Sequence, residues 1–366
     1  MRVPFVDLKL HYQNLKEEID QAIDGVFEGG QFIGGSAVAH FESDFSKLHS
    51  VSHCIGTGNG TDALFVSLKM LGVGSGDEVI TPALSWISSV ETISMTGAKP
   101  VFADVDLETY TIDVRQIESK ITPNTKGIIA VHLYGQAACV AEIQKLCKKN
   151  NLFLIEDCAQ AHLTEENAKL VGTIGDAGAF SFYPTKNLGA FGDAGCIITN
   201  NDRLADRMRL FANHGGLGKH EMEGINSRLD SIQAAILSVK CKYISEWTTR
   251  RIYLASVYAN LLGDVSEIAL PIARKNTRHT YHLFVIRTQE RDQLQEYLSG
   301  HGIQTRIHYP EALPFLPAYK QHGYKRGDFP VAEKCASEVL SLPMFPELTE
   351  QQIEYVCGKI KEFFRK

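Results

Sequence analysis

Between residues 50 and 200 short apolar runs alternate with helical patterns, and this alternation limits the folds open to the chain. HCIGTG precedes TDALFVSLKMLG, EVITPA precedes SSVETISMTG, and KPVFADVD leads to IDVRQIESKI. GIIAVHLYG leads to VAEIQKLCKKN, LFLIEDC follows, and AFSFY and CIITN flank a glycine-rich loop. Continuously apolar strands separated by helices predict a largely parallel sheet covered on both faces, an α/β fold. Ligands of such sheets bind outside the carboxyl ends of the strands, so the residues just after each strand are where chemistry is expected.

At 366 residues the chain is too long for one simple core. The apolar residues Leu229, Ile232, Ile236 and Val239 keep helical spacing and predict one long helix over 228–262. Beyond it the pattern changes. YHLFVIRT and TRIHYP read as strands, and RDQLQEYLSGHG, VAEKCASEVLSL and the segment after Pro346 read as helices. Thr349 and Gln352 fit a capping box on the last helix. This predicts a large domain over 1–245, with its own helical segment LKEEIDQAIDGVFEGG, and a smaller α+β domain over 246–366.

Lys plus Arg is 37 against 43 for Asp plus Glu, a net charge of −6, which argues against a general nucleic-acid binder. The eight cysteines are scattered with no CxxC and no metal-like cluster, so no metal is expected and a reduced, cytoplasmic setting is. MRVPFVDLKLHYQ lacks the pattern of a signal peptide, and no apolar run is long enough for a membrane span.

Four motifs fall at predicted strand ends. In GTGNGTDAL the glycines are spaced GxGxG, which is neither the dinucleotide fingerprint nor a P-loop. A helix starting near Gly60 and Thr61 would still present free N–H groups to an anion. Asp157 ends the strand of LIEDC, where a buried carboxylate needs a cation or donors; Glu156 should face the other side of the strand. Trp86 in TPALSWISS offers a flat ring beyond another strand. Lys186 in FYPTKNLG is a lone cation on a loop between buried strands, and desolvation there would make it a nucleophilic amine. Singly, each also fits a plain structural role. Together they match a planar aromatic aldehyde with a phosphate and a ring nitrogen, which is pyridoxal phosphate.

NGTDAL, TPALSW, EDCAQAH, SFYPTKNLGAFGDAG and GINSRLDSIQAAIL, in that order, resemble the DegT/DnrJ/EryC1/StrS aminotransferases, and the resemblance runs from PFVDLK to LSLPMFPELT. It implies a fold-type-I pyridoxal phosphate enzyme acting on nucleotide-linked keto-sugars with glutamate as amino donor, and a homodimer with shared active sites. It implies that Lys186 is the covalent anchor and proton carrier and that Asp157 holds the ring nitrogen. Gln160 would sit by the ring hydroxyl, and Ser181 would join Gly60 and Thr61 around the phosphate. Asn226 looks like a phosphate ligand arriving from the neighbouring subunit. Lys219, His220 and Arg228 are candidates for the substrate diphosphate, and Tyr183, His308 and Tyr309 for the sugar. Some relatives replace the lysine with histidine and dehydrate instead; retained Lys186 favours transamination. NSRLD, AQAH and HYP look like the subgroup aminating C3 of a dTDP-3-keto-6-deoxyhexose. The alternatives are a UDP-linked 3-keto uronic acid, a 4-keto sugar, another pyridoxal phosphate reaction, or a non-catalytic sensor. The loop after AQAH departs from the usual glycine-led form, reading LTEEN. Lipopolysaccharide, S-layer and antibiotic sugars all use this chemistry.

Overall fold

A computed structural model describes residues 1–365. Its centre is a seven-stranded sheet, with strands ordered in space as His53–Thr57, Gly195–Thr199, Ala177–Ser181, Phe153–Asp157, Thr125–Val131, Glu78–Pro82 and Lys99–Ala103. The last five pair in parallel. Gly195–Thr199 alone runs the other way, antiparallel to both of its neighbours. Strands Glu78–Pro82 and Gly195–Thr199 are buried at every position, which explains why they read as unbroken apolar runs.

The reversed strand matters for the site. Ala177–Ser181 ends at the edge where the parallel strands end, and Gly195–Thr199 begins at that same edge. The connection over 182–194 therefore never leaves the ligand-binding edge, and it carries Lys186. Three backbone bonds close it: Phe182 N–H to Ala194 O, Ala190 N–H to Phe182 O and Lys186 N–H to Tyr183 O, at 2.8, 2.7 and 2.8 Å.

Three sequence expectations need correction. The long helix is two, Ser231–Cys241 and Ile244–Leu262. The N–H groups of Lys242 and Tyr243 bond three residues back, to Val239 and Lys240, which tightens and ends the first helix. Its Lys240 is buried and donates to Gly189 O at 2.6 Å, bracing the 182–194 loop. VAEKCASEVLSL is a helix, Pro330–Glu338, followed by a strand, Val339–Leu342, which pairs antiparallel with Phe284–Arg287. Tertiary pairing overrides the helical pattern there. TRIHYP forms only one bridge, Arg306 to Ser341. Pairing stops because His308 and Tyr309 turn towards the cavity described below and Pro310 has no N–H to donate.

The predicted capping box is present: Thr349 and Gln352 exchange bonds at the start of helix Glu350–Phe364. A second hydrophobic core gathers Leu254 and Tyr258 of helix Ile244–Leu262, Phe284, Leu340, Ile353 and Val356. The N-terminal segment joins both regions. Val3 exchanges backbone bonds with Gly302 and Gln304, while helix Gly35–His49 packs on helix Ser231–Cys241.

Candidate active site

One cavity of about 610 Å³ lies at the carboxyl edge of the sheet. Its wall contains Gly60, Thr61, Trp86, Asp157, Gln160, Ser181, Tyr183, Lys186, His308 and Tyr309. Residues spread from position 60 to position 309 meet there because six strands of the sheet point their carboxyl ends at one edge.

Helix Gly60–Met70 starts at the cavity. Asn59 caps it by accepting the Asp62 N–H at 2.8 Å. The N–H groups of Gly60 and Thr61 belong to that first turn, where the helix dipole favours an anion. Gly60 is required by close approach: a Cβ there would lie 2.7 Å from Ser181 Cβ. The approach brings the Ser181 hydroxyl to the same end of the cavity. Thr61 Oγ1 bonds Ser88 Oγ at 2.7 Å.

Asp157 is buried in the wall of the same cavity. Its Oδ2 accepts Ser89 Oγ–H at 2.9 Å and its Oδ1 accepts Ala159 N–H at 3.1 Å. Burial pushes the carboxyl pKa up, and Ala159, Ser89 and the Lys186 charge oppose that. Lys186 is half-buried and lines the cavity; burial lowers its pKa to about 8, against the field of Asp157. About a tenth of this amine is therefore neutral near pH 7, far more than for an ordinary lysine, and the neutral amine is the form that attacks a carbonyl.

Gln160 is held at both ends. Its Oε1 accepts Tyr134 N–H at 2.8 Å and its Nε2 donates to Tyr309 Oη at 3.0 Å. Trp86 is 57% exposed, so it is a wall at the mouth and no part of the core. Its ring lies 5.7 Å from that of Tyr309. His308 bonds Ser341 Oγ at 2.8 Å, and burial lowers its pKa to about 4, so it is neutral at pH 7.

Glu156 does face away from Asp157. It accepts His132 Nε2–H at 3.0 Å and the N–H groups of Gly172, Ile174 and Gly175. His132 Nδ1 in turn accepts Ala138 N–H. Together with Cys158 these residues bring ligand-type atoms within 4.8 Å of one another. The His132 and Glu156 atoms are already bonded to the protein, so the group reads as a structural knot beneath the site.

Asn226, Lys219, His220 and Arg228 do not line the cavity of their own chain. Asn226 is exposed, Lys219 lies 3.9 Å from Glu221, His220 bonds His214 O, and Arg228 bonds Asn213 Oδ1. Their segment nevertheless abuts the glycine turn: Ser227 Oγ accepts Gly58 N–H and donates to Asp62.

Sequence reasoning missed Ser85, Ser88, Ser89, Asp193 and His282. Ser88 and Ser89 stand in TPALSWISS, and their position at a helix start after a strand was a usable signal. His282 had none. It lines the cavity and bonds Asn187 Oδ1 at 3.0 Å, next to Lys186.

A concave site on an α/β sheet, with a low-pKa lysine, a buried carboxylate and an anion-binding helix start, defines a pyridoxal phosphate enzyme of the aminotransferase class. The donor set fits that cofactor, since the same lining offers an anion-binding helix start for a phosphate, a carboxylate for a protonated ring nitrogen and an amine for an aldehyde. The chain belongs to the DegT/DnrJ/EryC1/StrS aminotransferase family, whose model matches residues 13–361. It is 46% identical to a "Pleiotropic regulatory protein" of Geobacillus stearothermophilus over 100% of this chain and 99% of that one. It is 43% identical to the dTDP-3-amino-3,6-dideoxy-alpha-D-galactopyranose transaminase of Aneurinibacillus thermoaerophilus over 99% of each chain. The crystal structure of S. venezuelae DesV with a ketimine intermediate superposes with a TM-score of 0.98 at 39% identity, covering 100% and 99% of the two chains. The protein is thus a pyridoxal phosphate-dependent aminotransferase with the fold-type-I architecture anticipated from its motifs.

Proposed function

We propose that the protein moves an amino group from L-glutamate to C3 of a dTDP-linked 3-keto-6-deoxyhexose. The observation that carries this reading is the meeting of Lys186, Asp157 and the Gly60 helix start in one cavity, in a chain 43% identical throughout to a dTDP-3-amino-sugar transaminase. Gly60 and Thr61 N–H groups and the Ser181 hydroxyl hold the cofactor phosphate. Asp157 holds the ring nitrogen, Trp86 covers the ring, and Gln160 sits by the ring hydroxyl. When bound, the cofactor supplies an electron sink for the carbanion that develops on the amino donor. Lys186 would be its covalent anchor and, as a free amine, would carry the proton as general base and acid. Tyr183, His308 and Tyr309 face the sugar, and their enclosure of the cavity limits water.

Purified protein with glutamate and a panel of dTDP- and UDP-linked keto-sugars tests this reading, with the amino-sugar product read by mass spectrometry. Amination of a dTDP-3-keto-6-deoxyhexose is expected. Turnover confined to UDP-linked or 4-keto substrates would replace the substrate assignment. The relative named as a regulatory protein is compatible with a second reading, a sensor that only binds the cofactor; absence of turnover on the whole panel would favour it.

The active unit in this reading is a homodimer with shared sites. Trp86 and Tyr183 are exposed at the cavity rim, Phe32 and Ile33 are exposed on the same chain, and Asn226 is exposed close by. Asn226 then completes the phosphate site of the partner, and Lys219, His220 and Arg228 meet the substrate diphosphate. Complementation checks this. Lys186→Ala and Asn226→Ala are each expected to be strongly impaired alone, and co-expressed as mixed dimers they should regain activity, because one site per dimer then carries neither change. No recovery would mean that each site is built from one chain. The enzyme works in the cytoplasm in this reading, consistent with eight free cysteines. No helix of the described residues is long and apolar enough to cross a membrane.

A further inference from the structure

The Asp157 carboxylate is held by a chain of hydroxyls whose proton order is determined. Ser89 Oγ lies 2.9 Å from Asp157 Oδ2, and Ser85 Oγ lies 2.9 Å from Ser89 Oγ. An ionised carboxylate only accepts, so the Ser89 proton is committed to Asp157 and the Ser85 proton must go to Ser89. Both serines are buried, and Ser85 lines the cavity. The chain is itself braced, because Thr81 Oγ1 donates to the Ser89 carbonyl at 3.2 Å. With Ala159 N–H on Oδ1, each carboxylate oxygen has one protein donor, and the plane of the group is set. The neighbouring Ser88 has other partners, Thr61 at 2.7 Å and Glu91 at 3.1 Å, so one helix start reaches both Asp157 and the first turn of helix Gly60–Met70.

We propose that the Ser85–Ser89 hydroxyl chain is a positioning element for Asp157, which fixes the carboxylate and keeps it anionic where it meets the cofactor's ring nitrogen, and so sets the strength of the electron sink. This rests on the cofactor reading above. Buried hydrogen bonds to a charge are the strong ones, and a buried carboxylate that loses one gains proton affinity. The other titratable groups interacting with Asp157 are Lys186 of the 182–194 loop, His132 beyond strand Thr125–Val131, the adjacent Cys158, and Tyr309. The variants below leave all four in place.

Holoenzyme carrying Ser89→Ala, Ser89→Thr or Ser85→Ala tests the inference. Two quantities are read: the pH midpoint at which the bound cofactor's visible absorption titrates, and kcat and KM for the keto-sugar. Ser89→Ala is expected to lower kcat about tenfold with KM unchanged. Its midpoint should move to lower pH, because a less anionic Asp157 stabilises protonated groups around it less. Ser85→Ala should move both in the same sense by less, and Ser89→Thr, which keeps the hydroxyl, should restore both. Wild-type midpoints in both alanine variants would overturn the inference. So would a loss confined to melting temperature or cofactor content, which is what a merely structural serine predicts. A wild-type protein with no visible cofactor band would instead sink the cofactor reading itself, so the two failures are distinguishable.

Discussion

Lys186→Ala is expected to lower kcat by on the order of 10⁴-fold, since it removes the covalent anchor and the proton carrier together. Hydride reduction of the wild-type holoenzyme followed by peptide mass spectrometry should place the cofactor mass on the peptide containing residue 186. The variant should show none. Its fold should survive, because the loop is held by other groups: Lys240 to Gly189 O at 2.6 Å, His282 to Asn187 at 3.0 Å, and the backbone bond from Lys186 N–H to Tyr183 O at 2.8 Å. The sign of the stability change follows from the pKa. Burial holds the Lys186 amine at about 8, below its usual value, so below that pH the folded state carries an unfavourable buried cation. Removing it should leave the melting temperature at pH 7 equal or higher. A Lys186→Ala enzyme with full turnover and a reducible cofactor adduct elsewhere on the chain would overturn the assignment.

Asp157→Asn should have the next largest effect, a fall in kcat on the order of 10²–10³-fold. Asparagine keeps the shape and can still accept from Ser89 or from Ala159, but it carries no charge to stabilise a protonated ring nitrogen. Burial raises the Asp157 pKa, so above that raised value the buried charge opposes folding in full, and the opposition is relieved as pH falls through it towards the lower unfolded value. At pH 7 the neutral variant should therefore melt no lower than wild type while losing most of its turnover. Kinetics and differential scanning on the same preparation check this. A parallel loss of stability and activity would mean that Asp157 serves the fold and not the cofactor.

These residues differ in how far sequence disclosed them. Asp157, Trp86 and the Gly60 turn each follow an apolar run that announces its own strand end, so residue order alone places them at the ligand edge, whereas Ser181 came from family resemblance. Gln160, His308 and Tyr309 came from family resemblance, and the cavity unites them: Gln160 donates to Tyr309 across 149 residues of chain. The hydroxyl chain was present in TPALSWISS but silent, because a serine's partner depends on what packs opposite it, and Asp157 lies 68 residues further on. Helix Ser231–Cys241 and the strand Val339–Leu342 were misread where periodicity continued but packing changed.

The sequence by itself determined the α/β class, the strand ends, and the residue types that a pyridoxal phosphate site needs, because apolar periodicity and residue chemistry are local properties. Only the tertiary structure decided that Gly195–Thr199 runs against its neighbours and so keeps the Lys186 loop at the catalytic edge. It also decided that His282, His308 and Tyr309 line the cavity, and that Ser89 faces Asp157. Strand direction and hydrogen-bond partnership are properties of pairs far apart in the chain, and no periodicity within either member records them.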